Sequence, residues 1–594
     1  MDWLAAAKQG SLIAAGVNSV LAGVLWLTHR WWSTRSLDFQ PTDGSGQPTA
    51  PPAATRPPIR RPRWFWPVLA TILLIATGLR LPLAGSSLWW DEVWQARHAS
   101  IGEWRPDKKS GNLKFRETTF AQALWNYRKP TNHPPMALAS KACHTVWQRL
   151  TGAPPGHFNE FVLRLPGLTA SLLGIAMIAL LLRAWGTPAA GLIAAAFLAL
   201  HPWHIRYGID GRGYTFLIPL TTLGVWSLWR ACTAAPNRDR SANAITAADP
   251  ANNQASWAWW LFGFTQALIL WCHLLSVWVC LGLCATGGFW IWQQYRGPAR
   301  WHRLARLLAV QVAGAMLLLQ LFLPNLLQAM QWGDKNQDGR LLDEVVLLDF
   351  FQQAMTGQAQ TWGACIVLLT AAAGLTTAIR KRLPGAASLG LLTAAASLFL
   401  VTLHLAGFYF YPRFMLALLV PLAAATGLGV AAAAGLARPR GPAPLALAGL
   451  IIAAIGLSLA GGLTATTKGS FSPLRETAAV LQQAQANGAR IMGFGFGAEA
   501  LQYYLPSLDY ARDDDAPEQL ARAAQEAHDR HQPLYIAAGY EELNRLRLPA
   551  GFAMLDDAAQ WSRVWTHDGL EPQFTYTVWR TAAAPPAATQ GSEK

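Results

Sequence analysis

Charge is scarce in this sequence. Of its 594 residues only 14% are charged, whereas 52% are apolar, and the mean hydropathy is +0.19. A soluble globular chain carries roughly 25% charged residues. The composition therefore excludes an ordinary soluble enzyme and predicts a protein that lies largely in a membrane.

Cysteine is also scarce, with six residues in the chain. Five of them lie within or at the end of long apolar runs, and only Cys143 lies in a polar region. They form neither a disulfide framework nor the paired spacing of a zinc site. The formal net charge of +15 does not indicate a nucleic-acid partner, because most basic residues lie between the apolar runs and not on one soluble face.

Long apolar runs are the main feature that is present. A transmembrane helix needs about 20 mostly apolar residues, and eleven or twelve runs of this size occur. The first run is interpreted as an anchor helix, although a helix on the membrane surface has a similar composition. The predicted spans are 11–28, 64–84, 162–182, 188–205, 214–231, 257–273, 275–292, 304–323, 361–379, 385–405, 414–435 and 443–463.

Arginine and lysine are concentrated in every second connection between these spans, for example at 60–63, 296–306 and 380–382. The positive-inside rule assigns those connections to the cytoplasm. The opposite side then receives the loops at 85–161 and 324–360 and everything beyond residue 468. We therefore expect the functional residues to face away from the cytoplasm.

The fold class that follows is an all-α polytopic membrane domain with a small C-terminal extracytoplasmic α/β domain. In that domain we expect helices at 474–486 and 517–531 and strands at 490–496, 533–538 and 575–580. The expected organisation is an anchor helix at 1–32, a disordered basic cytoplasmic linker at 33–63, the membrane domain at 64–467, the α/β domain at 468–581 and a disordered tail at 582–594.

Polar groups next to predicted spans are the candidate functional residues, since ionisable side chains at a membrane are costly unless they are paired or used. Asp91 and Glu92 follow Leu88-Trp89-Trp90 just after the span at 64–84. A carboxylate pair beside aromatic residues is a candidate general base for proton transfer. A solvated acidic loop would have the same sequence.

Four further features lie on the same predicted side of the membrane. His133 precedes two prolines, and His273 lies in a tight turn between two spans. The other two are the segment from Tyr207 to Tyr214, with Asp210 and Arg212, and the segment Tyr409-Phe410-Tyr411-Pro412-Arg413. Each of these could instead be an interfacial anchor. Together they offer a base and fixed cations, as transfer from a lipid phosphate requires.

These residues resemble motifs of the GT-C superfamily of integral-membrane glycosyltransferases, specifically bacterial relatives of protein O-mannosyltransferases and the lipid A aminoarabinose transferase. The resemblance lies in the order of the motifs along residues 64–435. They are Leu79-Arg80-Leu81 to Trp90-Asp91-Glu92, His133-Pro134-Pro135, Arg164-Leu165-Pro166, Tyr207 to Tyr214, His273 and Pro412-Arg413-Phe414. In the fourth, Asp210 replaces the glutamate usual in the family.

The resemblance implies inverting transfer of a sugar from a polyprenyl phosphate, undecaprenyl phosphate in bacteria, to an acceptor hydroxyl at the periplasmic face of the inner membrane. It implies Asp91 as catalytic base with Glu92 as second choice, and Asp210 assisting or binding the acceptor. Phosphate or sugar would be bound by His133, Arg212, Tyr214, His273 and Arg413. The acceptor could be a glycan, a glycolipid or a protein, and no cofactor is implied.

Residues 334–345 resemble part of a calcium-binding loop. Asp334, Asn336 and Asp338 occupy positions 1, 3 and 5 and a glycine follows at position 6, but position 12 is Val345 and Glu344 comes one place early. We treat a structural Ca²⁺ here as a hypothesis, beside the alternative of a polar turn.

Two other functions fit the composition. A multispan transporter or flippase would bind its cargo with the outer carboxylates, but it should have polar residues at mid-bilayer depth, where the apolar runs show none. A non-catalytic glycan-binding membrane protein would have the same motifs and no turnover.

Overall fold

The computed structural model describes residues 3–33, 62–107, 109–127, 132–233, 250–333, 343–408, 410–435, 443–468, 471–570 and 574–581. The chain forms two compact units. The helical unit comprises Met1–Arg80, Trp125–Met136 and Pro166–Thr464. The mixed unit comprises Leu81–Leu124, Ala137–Leu165 and Ala465–Lys594. The predicted linker, apart from residues 33, 62 and 63, and the predicted tail lie outside the described residues.

Helices make up most of the described chain. The α-helices are α1 (Trp3–Leu27), α2 (His29–Trp32), α3 (Phe65–Ala84), α4 (Trp90–Gln95), α5 (Phe120–Trp125), α6 (Pro134–Thr151), α7 (Glu160–Ala184), α8 (Pro188–Leu200), α9 (Pro202–Gly208), α10 (Leu217–Thr233), α11 (Pro250–Cys272), α12 (Val277–Gln294), α13 (Gly297–Gly333), α14 (Glu344–Thr356), α15 (Thr361–Arg380), α16 (Ala386–Leu405), α17 (Leu419–Ala433), α18 (Ala443–Lys468), α19 (Leu474–Ala486), α20 (Ala498–Tyr504), α21 (Ala516–Asp529), α22 (Glu541–Arg547) and α23 (Pro549–Leu555). Ala96–Ser100 is a π-helical turn, and the 3₁₀ turns are Gly213–Phe216, Leu274–Ser276 and Pro412–Leu418.

Nine helices of the described chain are long and apolar enough to cross a membrane. Each predicted span coincides with helical structure, so the predicted fold class of a polytopic helical membrane protein is confirmed. Three predicted spans fall short of this test. In span 214–231 a 3₁₀ turn leaves only 17 residues for α10, and in span 257–273 the apolar part of the helix is too short. Span 188–205 is broken into two helices.

The prediction of one continuous span at 188–205 is wrong in shape. Helices α8 and α9 are bent by 66° at His201, whose backbone is extended at φ −68° and ψ 121°. The cause is Pro202, because a proline disfavours helical backbone at the residue before it. The freed carbonyls at the end of α8 are satisfied by the buried Arg80, which donates to the oxygens of Ala199 (3.0 Å) and Leu198 (3.4 Å).

Small residues allow the helices of this unit to approach closely, as is usual in membranes. A Cβ on Gly10 of α1 would lie 2.6 Å from the Cα of Pro324 in α13. The side-chain amide of Asn18 donates to the carbonyl of Met316 at 3.0 Å, so α1 is fixed against α13 along its length. Helix α17 is deeply enclosed, with every residue from 419 to 430 buried.

The mixed unit contains two sheets. One is an antiparallel hairpin of β1 (Gly102–Pro106) and β2 (Leu113–Glu117). The other has the order β4-β3-β5-β7-β6, formed by β3 (Arg490–Phe494), β4 (Asp509–Ala511), β5 (Leu534–Gly539), β6 (Trp561–His567) and β7 (Tyr576–Thr581). Strands β4 and β5 run parallel to β3, whereas β7 is antiparallel to both β5 and β6.

The predicted elements of the C-terminal region all occur, whereas β4, β6 and the hairpin of the long loop were not predicted. Leu88, Val93 and Ile101 from the loop share one apolar core with Leu474 and Leu481 of α19. By its contacts, the loop at 85–161 apart from Trp125–Met136 groups with the mixed unit.

Candidate active site

Four of the predicted site residues converge in the helical unit. The rings of His133 and His273 are stacked, with centroids 5.7 Å apart and planes inclined by 11°. The ring of Tyr214 contacts both, at 4.6 Å from His133 and 5.3 Å from His273. Arg413 donates from Nε to the Tyr214 hydroxyl at 3.1 Å. Segments almost 300 residues apart in the chain therefore form one cluster, which we call the histidine cluster and in which we include Arg212, whose charge acts on both histidines.

The local backbone holds these side chains in place. His273 is extended at φ −161° and ψ 112° between α11 and a 3₁₀ turn, and Arg413 lies in the 3₁₀ turn that starts at Pro412. Gly213 is needed for close approach, because a Cβ at this position would lie 2.9 Å from the Cβ of His133. Asp210 and Arg212 lie in the turn just before Gly213, and both are 2% exposed.

Hydrogen bonding defines the protonation of His133. Its Nδ1 lies 2.8 Å from the carbonyl oxygen of Cys272, and since a carbonyl can only accept, Nδ1 carries the proton. Nε2 is then the acceptor of a neutral ring. The Nδ1 atom of His273 is buried and has no hydrogen-bond partner within the described ranges. A buried polar atom without a partner costs about 1–3 kcal/mol, so this position favours a polar ligand.

The charges of the cluster come from its arginines and not from its histidines. Burial, followed by the charge of Arg212, holds the pKa of His133 well below 6.5. Burial, Arg212 and Arg413 lower the pKa of His273 to about 3. At neutral pH the cluster therefore consists of two uncharged imidazoles beside two guanidinium groups, an arrangement that attracts an anion.

The acidic pair lies in the mixed unit, in the first turn of α4. Glu92 is 3% exposed and accepts from three donors: Arg164 Nε at 2.7 Å, Arg164 Nη2 at 2.5 Å and the amide of Trp89 at 3.1 Å. Arg164 also donates to the carbonyl of Ser86 at 2.5 Å. Asp91 is only partly buried. Of the two carboxylates, Asp91 is therefore the accessible one, and Glu92 is bound into the protein.

The structure thus brings together His133, Tyr214, His273 and Arg413, with Asp210 and Arg212 in the adjoining turn, whereas Asp91 and Glu92 belong to the other unit. Sequence reasoning did not find the pairing of Arg164 with Glu92, which are 72 residues apart and share no local motif. It also missed Tyr504, whose hydroxyl accepts the amide of Leu88 at 2.7 Å, just before the acidic pair.

The calcium hypothesis rests mostly on residues outside the described ranges, namely Asp334, Asn336 and Asp338. Glu344 is described and is the first residue of α14, where Asp343 caps the helix by accepting the amide of Val346 at 2.7 Å. Within the described ranges no group of three or more histidine, cysteine or acidic residues is placed to hold a metal ion.

Comparison with solved structures finds similarity to ArnT and to an archaeal oligosaccharyltransferase. ArnT from Cupriavidus metallidurans in the apo state is similar with a TM-score of 0.49 and 14% identity, over 88% of this chain and 99% of that one. The same protein bound to undecaprenyl phosphate gives 0.47 and 14%, over 88% and 98%. The oligosaccharyltransferase from Archaeoglobus fulgidus in the apo form gives 0.47 and 12%, over 81% and 70%. No protein-family model and no curated protein matches the chain.

Proposed function

We propose that this multi-pass membrane protein is an inverting glycosyltransferase, which moves a sugar from a polyprenyl phosphate, undecaprenyl phosphate in bacteria, to an acceptor hydroxyl. The histidine cluster carries the proposal. It combines two arginine charges, a tyrosine hydroxyl and two neutral imidazoles, with His133, Arg212 and Tyr214 buried and the other two side chains half-buried. This set of donors and charges suits a lipid-linked phosphate, whereas a merely structural contact needs no such accumulation of cations.

During the reaction the negative charge on the donor phosphate increases, and the arginines of the cluster can stabilise this additional charge. The donor phosphodiester has one negative charge, and the polyprenyl phosphate that leaves has two when it is fully ionised. The acceptor oxygen forms a bond to the anomeric carbon as the bond from that carbon to the phosphate oxygen breaks on the opposite face, with inversion. Arg212 and Arg413 would stabilise the charge that grows on the leaving phosphate.

The base would be Asp91, which takes the proton of the acceptor hydroxyl. The burial of Glu92 and its ion pair with Arg164 support this choice, because that carboxylate is already bound to donors of the protein. Asp210 would assist or bind the acceptor. No metal is needed for these steps, and a Ca²⁺ at residues 334–345 would be structural. We place the protein in a bacterial inner membrane, with the site and the C-terminal region on the periplasmic side.

The test uses the full chain in lipid nanodiscs with a panel of undecaprenyl-phosphate sugars and with glycan, lipid A and peptide acceptors. Mass spectrometry follows the release of undecaprenyl phosphate. We expect release by the wild type and by Asp514→Asn, a control that changes an exposed carboxylate, and none by Asp91→Asn, which should still bind the donor. Equal release by Asp91→Asn would move the base to Glu92 or Asp210. Donor binding without release by any protein would contradict catalysis and favour a glycan-binding protein.

A further inference from the structure

The segment that leads to Asp91 is held by residues of the distant C-terminal region. Ser87 donates from its hydroxyl to the carbonyl of Ser472 at 2.5 Å and accepts the amide of Arg475 at 3.2 Å. The Arg475 guanidinium donates to the carbonyl of Gly85 at 3.2 Å. These contacts fix the turn between α3 and α4 from the side of α19.

Tyr504, at the end of α20, completes this set of contacts. Its hydroxyl accepts the amide of Leu88 at 2.7 Å and donates to Glu160 Oε1 at 3.2 Å. Glu160 in turn accepts from Arg475 at 3.1 Å. Burial, followed by the nearby Glu160 carboxylate, raises the pKa of Tyr504 well above 10, so the hydroxyl keeps the proton that it donates. The Tyr504 hydroxyl thus connects Leu88, just before the acidic pair, to Glu160 and through it to Arg475.

Aromatic contacts fix the two residues that directly precede Asp91. The ring of Trp89 lies 5.7 Å from that of Phe574, and the ring of Trp90 lies 4.6 Å from that of Phe496. Both phenylalanines contact Tyr540, at 5.6 Å and 5.0 Å. Aromatic pairs of this kind contribute about 0.5–1.5 kcal/mol each beyond the area they bury.

Asp91 is therefore flanked on both sides by residues with fixed positions. Before it, Leu88, Trp89 and Trp90 are held by the C-terminal region, and after it Glu92 is held by Arg164. We infer that Tyr504 is a positioning residue for Asp91, and that the C-terminal α/β region orients the base of the transfer reaction. This inference rests on the proposed function for its catalytic part, whereas its structural part can be tested separately.

The chain offers a matched control in the adjacent residue. Tyr503 is 7% exposed, and its hydroxyl has no hydrogen-bond partner within the described ranges. Tyr504→Phe and Tyr503→Phe each remove one hydroxyl and keep the ring, but only the first removes a contact with the acidic segment. Ser87→Ala, which removes the bond to Ser472, is a second variant with the same expected signature.

The first measurement is hydrogen–deuterium exchange of the full chain in nanodiscs, which needs no substrate. We expect the segment 86–92 to exchange faster in Tyr504→Phe and Ser87→Ala, because the amide of Leu88 and the turn before it lose their partners, and to be unchanged in Tyr503→Phe. Unchanged exchange of this segment in both Tyr504→Phe and Ser87→Ala would overturn the inference, even if transfer activity were present.

The second measurement is donor turnover. We expect kcat of Tyr504→Phe to fall by about 10- to 100-fold, since a displacement of the base of about 1 Å has an effect of this size, with KM for the donor unchanged. Tyr503→Phe should keep the wild-type kcat. A rise in KM with unchanged kcat would assign Tyr504 to donor binding and overturn the positioning role. If the wild type transfers no sugar, the proposed function fails, whereas the exchange result still decides whether Tyr504 holds the segment.

Discussion

Replacing Arg164 with methionine should be among the most destabilising changes in the mixed unit. The side chains of Arg164 and Glu92 are 0% and 1% exposed, so Arg164→Met removes two donors and the opposite charge from a buried carboxylate. Removing one partner of a buried ion pair costs about 3–5 kcal/mol. Glu92→Gln should cost less, about 1–3 kcal/mol, because the guanidinium keeps its bonds to backbone carbonyls such as that of Ser86.

The double variant decides whether the two residues act as a pair. Arg164→Met combined with Glu92→Gln removes both charges, and we expect its loss of stability to be about 1–3 kcal/mol smaller than the sum of the single losses. Unfolding free energies of the four proteins in one detergent would be measured by denaturant titration. Arg563→Met, at a half-exposed arginine paired with Glu541, is the control and should cost less than about 1 kcal/mol. Additive losses in the cycle would refute the argument.

Three further predictions concern the helical unit. The pKa of His273 is about 3 in the folded protein and about 6.5 when unfolded, so the unfolded state binds more protons between these values and stability falls as the pH falls below 6.5. From pH 7.5 to 5.5 the wild type should lose about 1.4 kcal/mol more unfolding free energy than His273→Asn, and equal losses would contradict the burial of a neutral ring. Gly213→Ala should reduce donor turnover by at least about 10-fold, because the added Cβ would collide with His133, whereas Gly288→Ala, with open space around it, should not. Equal kcat values for the two variants would show that turnover does not need the close approach of Gly213 to His133. Gly10→Val should lower the Tm because the valine side chain would collide with the backbone of α13, whereas the control Gly16→Val, at a position with no atom within 4 Å, should not. An equal fall in Tm for both variants would argue against tight packing of α1 on α13.

The membrane helices could be predicted from the sequence because a bilayer requires long apolar runs whatever their partners are. The helix predicted at 474–486 has the same bounds in the structure, since an amphipathic period is a local property. The hairpin of β1 and β2 escaped detection because its residues are mostly exposed and charged, as in Leu113–Glu117. The break at His201 was missed because the apolar run continues across Pro202. That proline nevertheless indicates a helix break, since a proline disfavours helical backbone at the residue before it.

The candidate site was only partly accessible to the same reasoning. His133, Tyr214, His273 and Arg413 were expected on one side of the membrane, and the structure places them in contact. Their neutral imidazoles could not be foreseen, because the pKa depends on burial and on arginines from other segments. Partners that are far apart in sequence, such as Leu88 and Tyr504, leave no local pattern to read.

The bond between Leu88 and Tyr504 spans 416 residues, which has a consequence for biosynthesis. At about 5–20 residues per second, ribosomes need roughly 20–80 s to make the intervening chain. Throughout this time the acidic segment lacks the neighbours that orient it. Strand β7, which lies between β5 and β6, is made later still. The nascent protein therefore exists as inserted helices with an unassembled acidic segment, and Asp91 acquires its fixed orientation only after nearly the whole chain has been synthesised.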